Sequence, residues 1–257
     1  MKLGSDMRKN WIMLNKLMGK SKKKISDNFI IGDDHCTDAA TISEAFNEYF
    51  IDHPQNIQNT IGNSAGNYYN LIDDNLDSMF LRECEVVEVS KEISKLKKRG
   101  KVDDISGKFL KLSNEKVSPI ICDLFNNCIR QGIFPECFKI ASITPIFKKG
   151  NASLIKNHRP ISVLKTLSKL FESIIFQRLQ DFFTCKNLFN PNQYGFRRAR
   201  STELAIFSLI DNVSRSFVNK CFCICIFLDF SACFDTICRQ ILLRKMLNMV
   251  SGVCPMN

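Results

Sequence analysis

The sequence predicts an α+β fold, because helical and strand patterns both occur and do not alternate strictly along the chain. In several long segments, apolar residues recur at the three- and four-residue spacing of helices, whereas two shorter segments are apolar enough to be strands. The chain has 257 residues, 45% of them hydrophobic. This is enough to build a core in one large domain or in two smaller ones.

The first 80 residues are predicted to form a mostly helical extension (residues 1–80) that precedes the main domain. A helical face is predicted over residues 41–50. Residues 52–69 are rich in Asn, Gln, Gly and Ser and are predicted to form a linker or long loop. From about Phe80 the apolar residues follow helical and strand spacing more regularly, so a second domain is predicted over residues 81–257.

Two helices and a strand are predicted in the first part of this second domain. The helices cover residues 86–96 and the surroundings of residues 120–128, and the second helix stops at Gly132. A charged loop over residues 100–104 separates them. The strand covers Ile140–Phe147.

The middle of the second domain is predicted to contain two helices joined by a basic loop. A loop over residues 148–160 precedes the first of these helices. Thr166 is its predicted N-cap, and its apolar residues continue to Phe183. The basic loop over residues 190–200 then leads into the second helix.

The last predicted elements are a buried strand over Phe222–Asp229, a turn, and a helix from about Asp235, its N-cap, to Leu247. Three cysteines alternate with apolar residues at the start of this strand and would share one of its faces: Cys221, Cys223 and Cys225. A metal site is one interpretation of this spacing, but buried small residues are the favoured one. The thiols are predicted to be free in a reducing compartment.

The formal charge of +10 is concentrated in one quarter of the chain, residues 138–200. This basic quarter carries twelve Lys and Arg residues against only Glu172 and Asp181, and the other residues sum to zero. Such a positive field favours a polyanionic partner, usually phosphate, although a solvated basic face is the alternative.

Membrane and secreted classes are not expected. No apolar run approaches the ~20 residues of a membrane-spanning helix. The N-terminus shows no apolar leader followed by a cleavage site, so the protein is expected to be intracellular.

The most informative segment is Phe227-Leu-Asp-Phe-Ser-Ala-Cys-Phe-Asp-Thr-Ile237. It places Asp229 at the end of the predicted strand, beside a loop, where a carboxylate can bind a hard divalent cation such as Mg²⁺. Taken alone, an aspartate at a strand end is more often a turn or cap residue.

This segment resembles the first catalytic motif of reverse transcriptases from non-LTR (LINE-type) retrotransposons. Three other groups of residues resemble motifs of that family, and the four groups follow the family's order within residues 80–247. They are Gly132-Ile-Phe-Pro135 with Thr144-Pro-Ile-Phe-Lys-Lys-Gly150, Arg159-Pro-Ile-Ser162 with Ser168-Lys-Leu-Phe-Glu172, and Gln193-Tyr-Gly-Phe-Arg197 with Ser201 and Thr202. The resemblance implies a partial right-hand polymerase fold over residues 81–257, namely the fingers and the start of the palm.

The resemblance also implies an RNA-directed DNA polymerase that uses two Mg²⁺ ions for nucleotidyl transfer. Asp229 would be the catalytic carboxylate that binds both ions, and the Phe230 carbonyl would bind one of them. Phe234 would be the steric gate that excludes a ribose 2′-hydroxyl group.

The basic residues take the remaining roles that the resemblance implies. Either Lys148 or Lys149, together with Arg159, would hold the incoming triphosphate, since a guanidinium matches phosphate oxygens. The residues that would contact the template backbone are Arg197, Arg198 and Arg200. The implied partners are an RNA template, a DNA primer and deoxynucleoside triphosphates, in the cytoplasm or the nucleus, with the oligomeric state left open.

Some positions depart from the family pattern. Ala232-Cys233 stands where the family has Lys-Ala, and no aromatic-x-Asp-Asp motif follows the first catalytic motif in these residues. We therefore expect an incomplete polymerase that is inactive alone, so that its status as an enzyme is open. The alternatives are a catalytically dead remnant that only binds nucleic acid, and an unrelated cysteine-rich helical interaction module.

Overall fold

The computed structural model describes residues 13–14, 17–18, 28–61, 79–96, 105–230 and 232–249. It contains both helices and short strands, which confirms the α+β class. The elements are β1 (Phe29–Ile31), β2 (Asp34–Cys36), α1 (Ala39–Ile61), α2 (Val86–Lys95), α3 (Gly107–Leu112), α4 (Asn114–Gln131), α5 (Glu136–Lys139), β3 (Ala141–Phe147), β4 (His158–Leu164), α6 (Thr166–Cys185), α7 (Thr202–Val218) and α8 (Arg239–Met249).

The chain divides into two compact units. The first unit comprises Met1–Asn56 and Ile143–Ile161, and the second comprises Ile57–Ser142 and Ser162–Asn257. The predicted domain boundary near residue 80 stays a prediction. The predicted loop over residues 100–104 lies outside the described residues.

Helix α1 confirms the helix predicted over residues 41–50 and extends beyond it. Asp38 stabilises its start, because one carboxylate oxygen accepts hydrogen bonds from the Thr41 backbone N–H at 2.8 Å and from the Thr41 hydroxyl at 2.6 Å. The helix then continues through Pro54 to Ile61, so the linker predicted over residues 52–69 is wrong for its first ten residues. A single proline removes one backbone hydrogen bond, which a long helix tolerates. Residues 62–69 lie outside the described residues.

An aromatic cluster around His158 forms the core of the first unit. The His158 ring lies 5.5 Å from that of Phe29, 5.2 Å from that of Phe46 and 5.6 Å from that of Phe147. Phe29, Phe46 and His158 are all buried. This cluster packs the β1–β2 hairpin and the start of α1 against β3 and β4.

Strands β3 and β4 form a two-stranded sheet. The strand predicted over Ile140–Phe147 is confirmed, with its start one residue later. Strand β4 was not predicted, because Pro160 and the charged Arg159 break the apolar pattern by which a strand is recognised. The loop predicted over residues 148–160 therefore ends earlier, at residue 157.

The core of the second unit is formed mainly by α2, α4 and α6. Val89 and Ile93 of α2, Phe125 of α4 and Phe171 of α6 are fully buried. The rings of Phe125 and Phe171 lie 5.0 Å apart. The predicted helices over residues 86–96 and around 120–128 are confirmed, and Gly132 ends α4 in the left-handed conformation, at φ 65°.

A buried polar contact joins the segment before α2 to α4. The Asn126 side chain accepts a hydrogen bond from the Cys84 backbone N–H at 2.7 Å and donates one to the Cys84 carbonyl at 3.0 Å. The thiols of Cys84 and Cys122 lie 3.7 Å apart. Burial, together with the neighbouring Cys122 thiol, raises the pKa of Cys84 to about 12.

The Arg178 guanidinium fixes α6 to α2 and to the segment that leads into α2. It is buried, and its two terminal nitrogens donate hydrogen bonds to the two carboxylate oxygens of Glu88 at 3.2 and 2.6 Å. It also donates to the backbone carbonyls of Arg82 at 3.4 Å and Glu83 at 3.3 Å. One side chain therefore satisfies a carboxylate and two carbonyl groups, as the forked geometry of arginine allows.

Three predictions for the C-terminal half are corrected by the structure. Residues 221–230 form no regular strand and are exposed, because no described strand lies beside them to accept and donate ladder hydrogen bonds. Asp235 is not a helix cap, since it lies in a turn and α8 begins only at Arg239. Thr166 is the first residue of α6, and Lys165 is its N-cap.

Replacing Arg178 with methionine should lower the free energy of unfolding by about 2–4 kcal/mol, because two carbonyl groups lose this donor and the Glu88 carboxylate keeps only the exposed Arg82 as its charged partner. Arg215→Met is the matched control, since Arg215 is exposed and its ion pair with Asp211, at 2.9 Å, contributes little. Urea denaturation of the three proteins measures the difference. Equal stability of the two variants would contradict the role of Arg178.

Acid should destabilise the second unit through Glu88. Partial burial alone would raise the pKa of Glu88, but hydrogen bonds and charge from Arg178 outweigh it and lower the pKa from 4.5 to about 2. Ionised Glu88 therefore stabilises the fold above pH 4.5, and this contribution is lost as the pH falls from 4.5 towards 2. Unfolding free energies measured across this window should fall less steeply for Glu88→Gln than for the parent. Parallel curves would refute the assignment.

Candidate active site

The predicted triphosphate-binding residues lie on the β3–β4 hairpin. Lys148 and Lys149 directly follow β3, and Arg159 is the second residue of β4. The Lys148 backbone N–H donates to the Asn157 carbonyl at 2.8 Å, which brings the ends of the two strands together. All three basic side chains are exposed, and no ion pair to any of them occurs within the described ranges.

The turn of this hairpin has little freedom at Gly150. This residue has a φ of 88°, and a Cβ atom there would lie 2.9 Å from the Asn157 side-chain nitrogen. The same nitrogen donates to the Asn151 carbonyl at 2.8 Å. Since both the backbone conformation and the space favour glycine, the turn that carries the two lysines has a defined shape.

His158 anchors the base of the hairpin beside Arg159. One ring nitrogen lies 3.1 Å from the Leu154 carbonyl oxygen, and the ring contacts the aromatic cluster of the first unit. The other ring nitrogen, Nε2, is buried and has no hydrogen-bond partner among the described residues. Sequence reasoning missed this role, because a lone histidine in a loop gives no signal for burial.

The predicted catalytic carboxylate, Asp229, lies in the exposed segment before the turn at residues 232–236. Phe230, the other predicted metal ligand, is exposed as well. Within the described part, no group of three or more His, Cys, Asp or Glu residues is placed to hold a metal ion. The assignment of Asp229 as a ligand of a hard cation therefore stays a prediction.

The predicted steric gate, Phe234, lies in a turn that is closed by backbone hydrogen bonds. The Ala232 carbonyl accepts from the N–H groups of Asp235 at 2.9 Å and Thr236 at 3.0 Å. The Phe234 ring contacts the Phe196 ring edge to face, with their centroids 5.7 Å apart. The structure thus brings the predicted gate to the loop that carries the predicted template contacts.

Two of the three predicted template-binding arginines make cation–π contacts with rings of their own loop. Arg197 lies 4.9 Å from the Phe189 ring centroid and donates to the Asn190 carbonyl at 3.0 Å. Arg200 lies 5.4 Å from the Tyr194 ring centroid. Arg198 is exposed. These contacts hold the loop in shape while its positive charges stay at the surface.

The predicted site residues are divided between the two units. Lys148, Lys149 and Arg159 belong to the first unit, whereas Asp229, Phe230, Phe234 and the three arginines belong to the second. The contact between Phe196 and Phe234 was not predicted, because these rings are 38 positions apart in sequence and no pattern links them.

A family of known proteins matches the part of the chain that carries most of the motifs described above. Residues 146–253 match the family model described as reverse transcriptase (RNA-dependent DNA polymerase). No helix in the described ranges has the length and apolar character needed to span a membrane.

Three relatives come from Drosophila melanogaster. The probable RNA-directed DNA polymerase from transposon BS is 31% identical over 64% of this chain and 18% of its own length. The RNA-directed DNA polymerase from mobile element jockey is 30% identical over 65% of this chain and 19% of its own length. The probable RNA-directed DNA polymerase from transposon X-element is 30% identical over 60% of this chain and 17% of its own length.

The chain thus spans less than a fifth of the length of these relatives. The matched region contains Lys148, Arg159, Arg197, Asp229 and Phe234, on which the predicted site rests. The predicted resemblance to reverse transcriptases of non-LTR (LINE-type) retrotransposons is confirmed, because residues 146–253 match the reverse transcriptase model and the three relatives are polymerases of transposable elements.

Proposed function

We propose that this chain is the fingers and the opening part of the palm of an RNA-directed DNA polymerase, which extends a DNA primer on an RNA template. The observation that carries this proposal is the position of Asp229. It lies within the matched region, it follows an apolar segment, and its side chain is exposed beside the turn that presents Phe234.

Asp229 is the proposed metal-binding carboxylate, and the Phe230 carbonyl is the proposed second ligand atom from this segment. When bound, divalent ions, here proposed to be Mg²⁺, stabilise the attacking and leaving oxygens of the displacement. Among the described residues, no group of three or more possible metal ligands lies together. Further carboxylates have to come from elsewhere, so we expect little polymerisation from these 257 residues alone.

The β3–β4 hairpin is the proposed triphosphate site. Arg159 offers a planar fork for phosphate oxygens, and either Lys148 or Lys149 offers a point charge. The hairpin suits this role because Gly150 fixes its turn and His158 anchors its base, while the three cations stay exposed and free to bind an anion. Deoxynucleoside triphosphates are the proposed substrates.

Phe234 is the proposed steric gate, and the loop before α7 is the proposed template contact. The gate ring needs a fixed position to exclude a 2′-hydroxyl group, and the turn at residues 232–236 together with Phe196 supports that position. Arg197, Arg198 and Arg200 supply positive charge for the template backbone. We place this activity in the nucleus or the cytoplasm, where nucleoside triphosphates are present.

Asp229→Asn should abolish primer extension in a chimera in which this chain replaces its matching segment of a Drosophila relative. The amide keeps the shape of the side chain but loses the charge that binds the metal, so the rate should fall at least about 100-fold. RNA affinity should stay unchanged. Asp235→Asn, six positions away in the same exposed region, is the control and should retain activity. If the parent chimera extends no primer, the alternative is favoured, namely that the chain is a catalytically dead remnant that only binds nucleic acid.

Nucleic-acid binding by this chain should depend strongly on salt and little on sequence. Each phosphate contact to a single strand adds about −0.7 to the slope of log affinity against log salt concentration. Converting Arg197, Arg198 and Arg200 to glutamine should therefore reduce the slope by about 2. The control removes three exposed cations outside the basic quarter: Lys91, Lys108 and Lys116. If both triple variants have equal slopes of log affinity against log salt concentration, the three arginines do not contact the nucleic acid.

A further inference from the structure

The Phe196 ring is unusually exposed for an aromatic side chain in an ordered loop. Its residue is 87% exposed, and its partner Phe234 is 71% exposed. The two rings stand nearly perpendicular, at 87°, so their mutual contact leaves most of both ring surfaces open to solvent. The family resemblance includes Phe196 in its template-side motif, Gln193–Arg197, but it gives roles only to the arginines and none to this ring.

The backbone at Phe196 holds the ring at this position against its conformational preference. Its φ of 58° lies in the left-handed region, which is a genuine outlier for a bulky residue. Such a conformation is strained and persists only where the surroundings determine it. Here Gln193 donates to the Gly195 carbonyl at 3.2 Å, and Arg197 is held by Asn190 and Phe189.

The charge around Phe196 selects the kind of partner that could cover the ring. Residues 182–202 contain four cations and no acidic residue. Three of these cations lie within four positions of Phe196, and they are Arg197, Arg198 and Arg200. An apolar protein surface would gain little from this field, whereas a single-stranded nucleic acid offers both phosphates for the arginines and π faces for the ring.

We propose that Phe196 is a base-stacking site for an unpaired nucleobase of a single-stranded RNA, with the flanking arginines bound to the adjacent phosphates. This inference rests on the proposed function in one respect, because it takes RNA as the polyanion that binds the basic quarter. It adds a contact to the base itself, which salt-dependent phosphate binding does not require.

The position of the site beside Phe234 gives it a specific place in the proposed reaction. Since Phe234 touches the Phe196 ring, a template base stacked on Phe196 would lie next to the residue proposed to select the incoming sugar. Phe196 would then fix the template base against which that nucleotide pairs, while Phe234 excludes the ribonucleotide.

The test compares two probes of equal length with this chain: an oligoadenylate strand and an abasic ribose–phosphate strand. The parent should bind oligoadenylate more tightly, because only that strand can stack. Phe196→Ala should weaken oligoadenylate binding about tenfold and leave binding of the abasic strand unchanged. Phe196→Tyr keeps the ring and should retain the parent preference. The matched control is Phe176→Ala, since Phe176 is 58% exposed on α6 and should not contribute.

The outcomes separate this inference from the proposed function. If the parent binds neither strand, the proposed nucleic-acid function fails. If the parent binds both strands equally, or Phe196→Ala weakens both by the same factor, nucleic-acid binding stands and the stacking site is wrong. Thermal melting followed by circular dichroism checks folding. If Phe196→Ala melts early, Phe196→Leu, which keeps apolar volume without a π face, should still lose the preference for oligoadenylate.

Discussion

The buried guanidinium of Arg178 is the interaction on which the second unit depends most. Among the described residues, Arg178 is the one Lys, Arg, Asp or Glu residue that is buried. A buried charge is tolerated only when it is paired and hydrogen-bonded, and Glu88 and the carbonyls of Arg82 and Glu83 meet that need. Because Arg178 belongs to α6 and Glu88 to α2, the ion pair links two of the helices whose apolar faces form the core.

The proposed site combines firmly held backbone with exposed side chains. Gly150 and His158 fix the first group of cations, and the turn at residues 232–236 fixes Phe234, yet the side chains that would meet substrate remain at the surface. Helix α7 has no buried residue, and residues 221–230, which include Asp229, are exposed. In the described structure the apolar segment that leads to Asp229 therefore belongs to no sheet.

The sequence predicts most helices here because their apolar spacing reports the buried face directly, as it does for Val89 and Ile93. Sequence-based prediction fails where the structure of a segment depends on a neighbouring strand elsewhere in the chain. The run Phe222–Asp229 has the composition of a buried strand, but a strand also requires a neighbour for its hydrogen bonds. Strand β4 shows the opposite case, since Arg159 and Pro160 hide a strand that its pairing with β3 stabilises.

The candidate site shows the same division between local and long-range information. Asp229, Arg159 and the arginines of the basic loop are predicted from motifs, because each motif is contiguous in sequence. The burial of His158 and the contact between Phe196 and Phe234 depend on residues that meet only after folding. A single sequence contains no direct information about such long-range contacts.

Cys84 and Cys122 are buried where the segment before α2 packs on α4, so their reactivity reports local opening of this contact. A thiol reacts as its thiolate, so burial and a raised pKa make Cys84 slow to react while this contact persists. Cys137 and Cys185 are exposed in the same unit and have no such protection. The rate at which an alkylating reagent reaches Cys84 and Cys122, relative to the exposed thiols, therefore measures how often the segment before α2 separates from α4. This local opening can be followed in the natural sequence, without an added label.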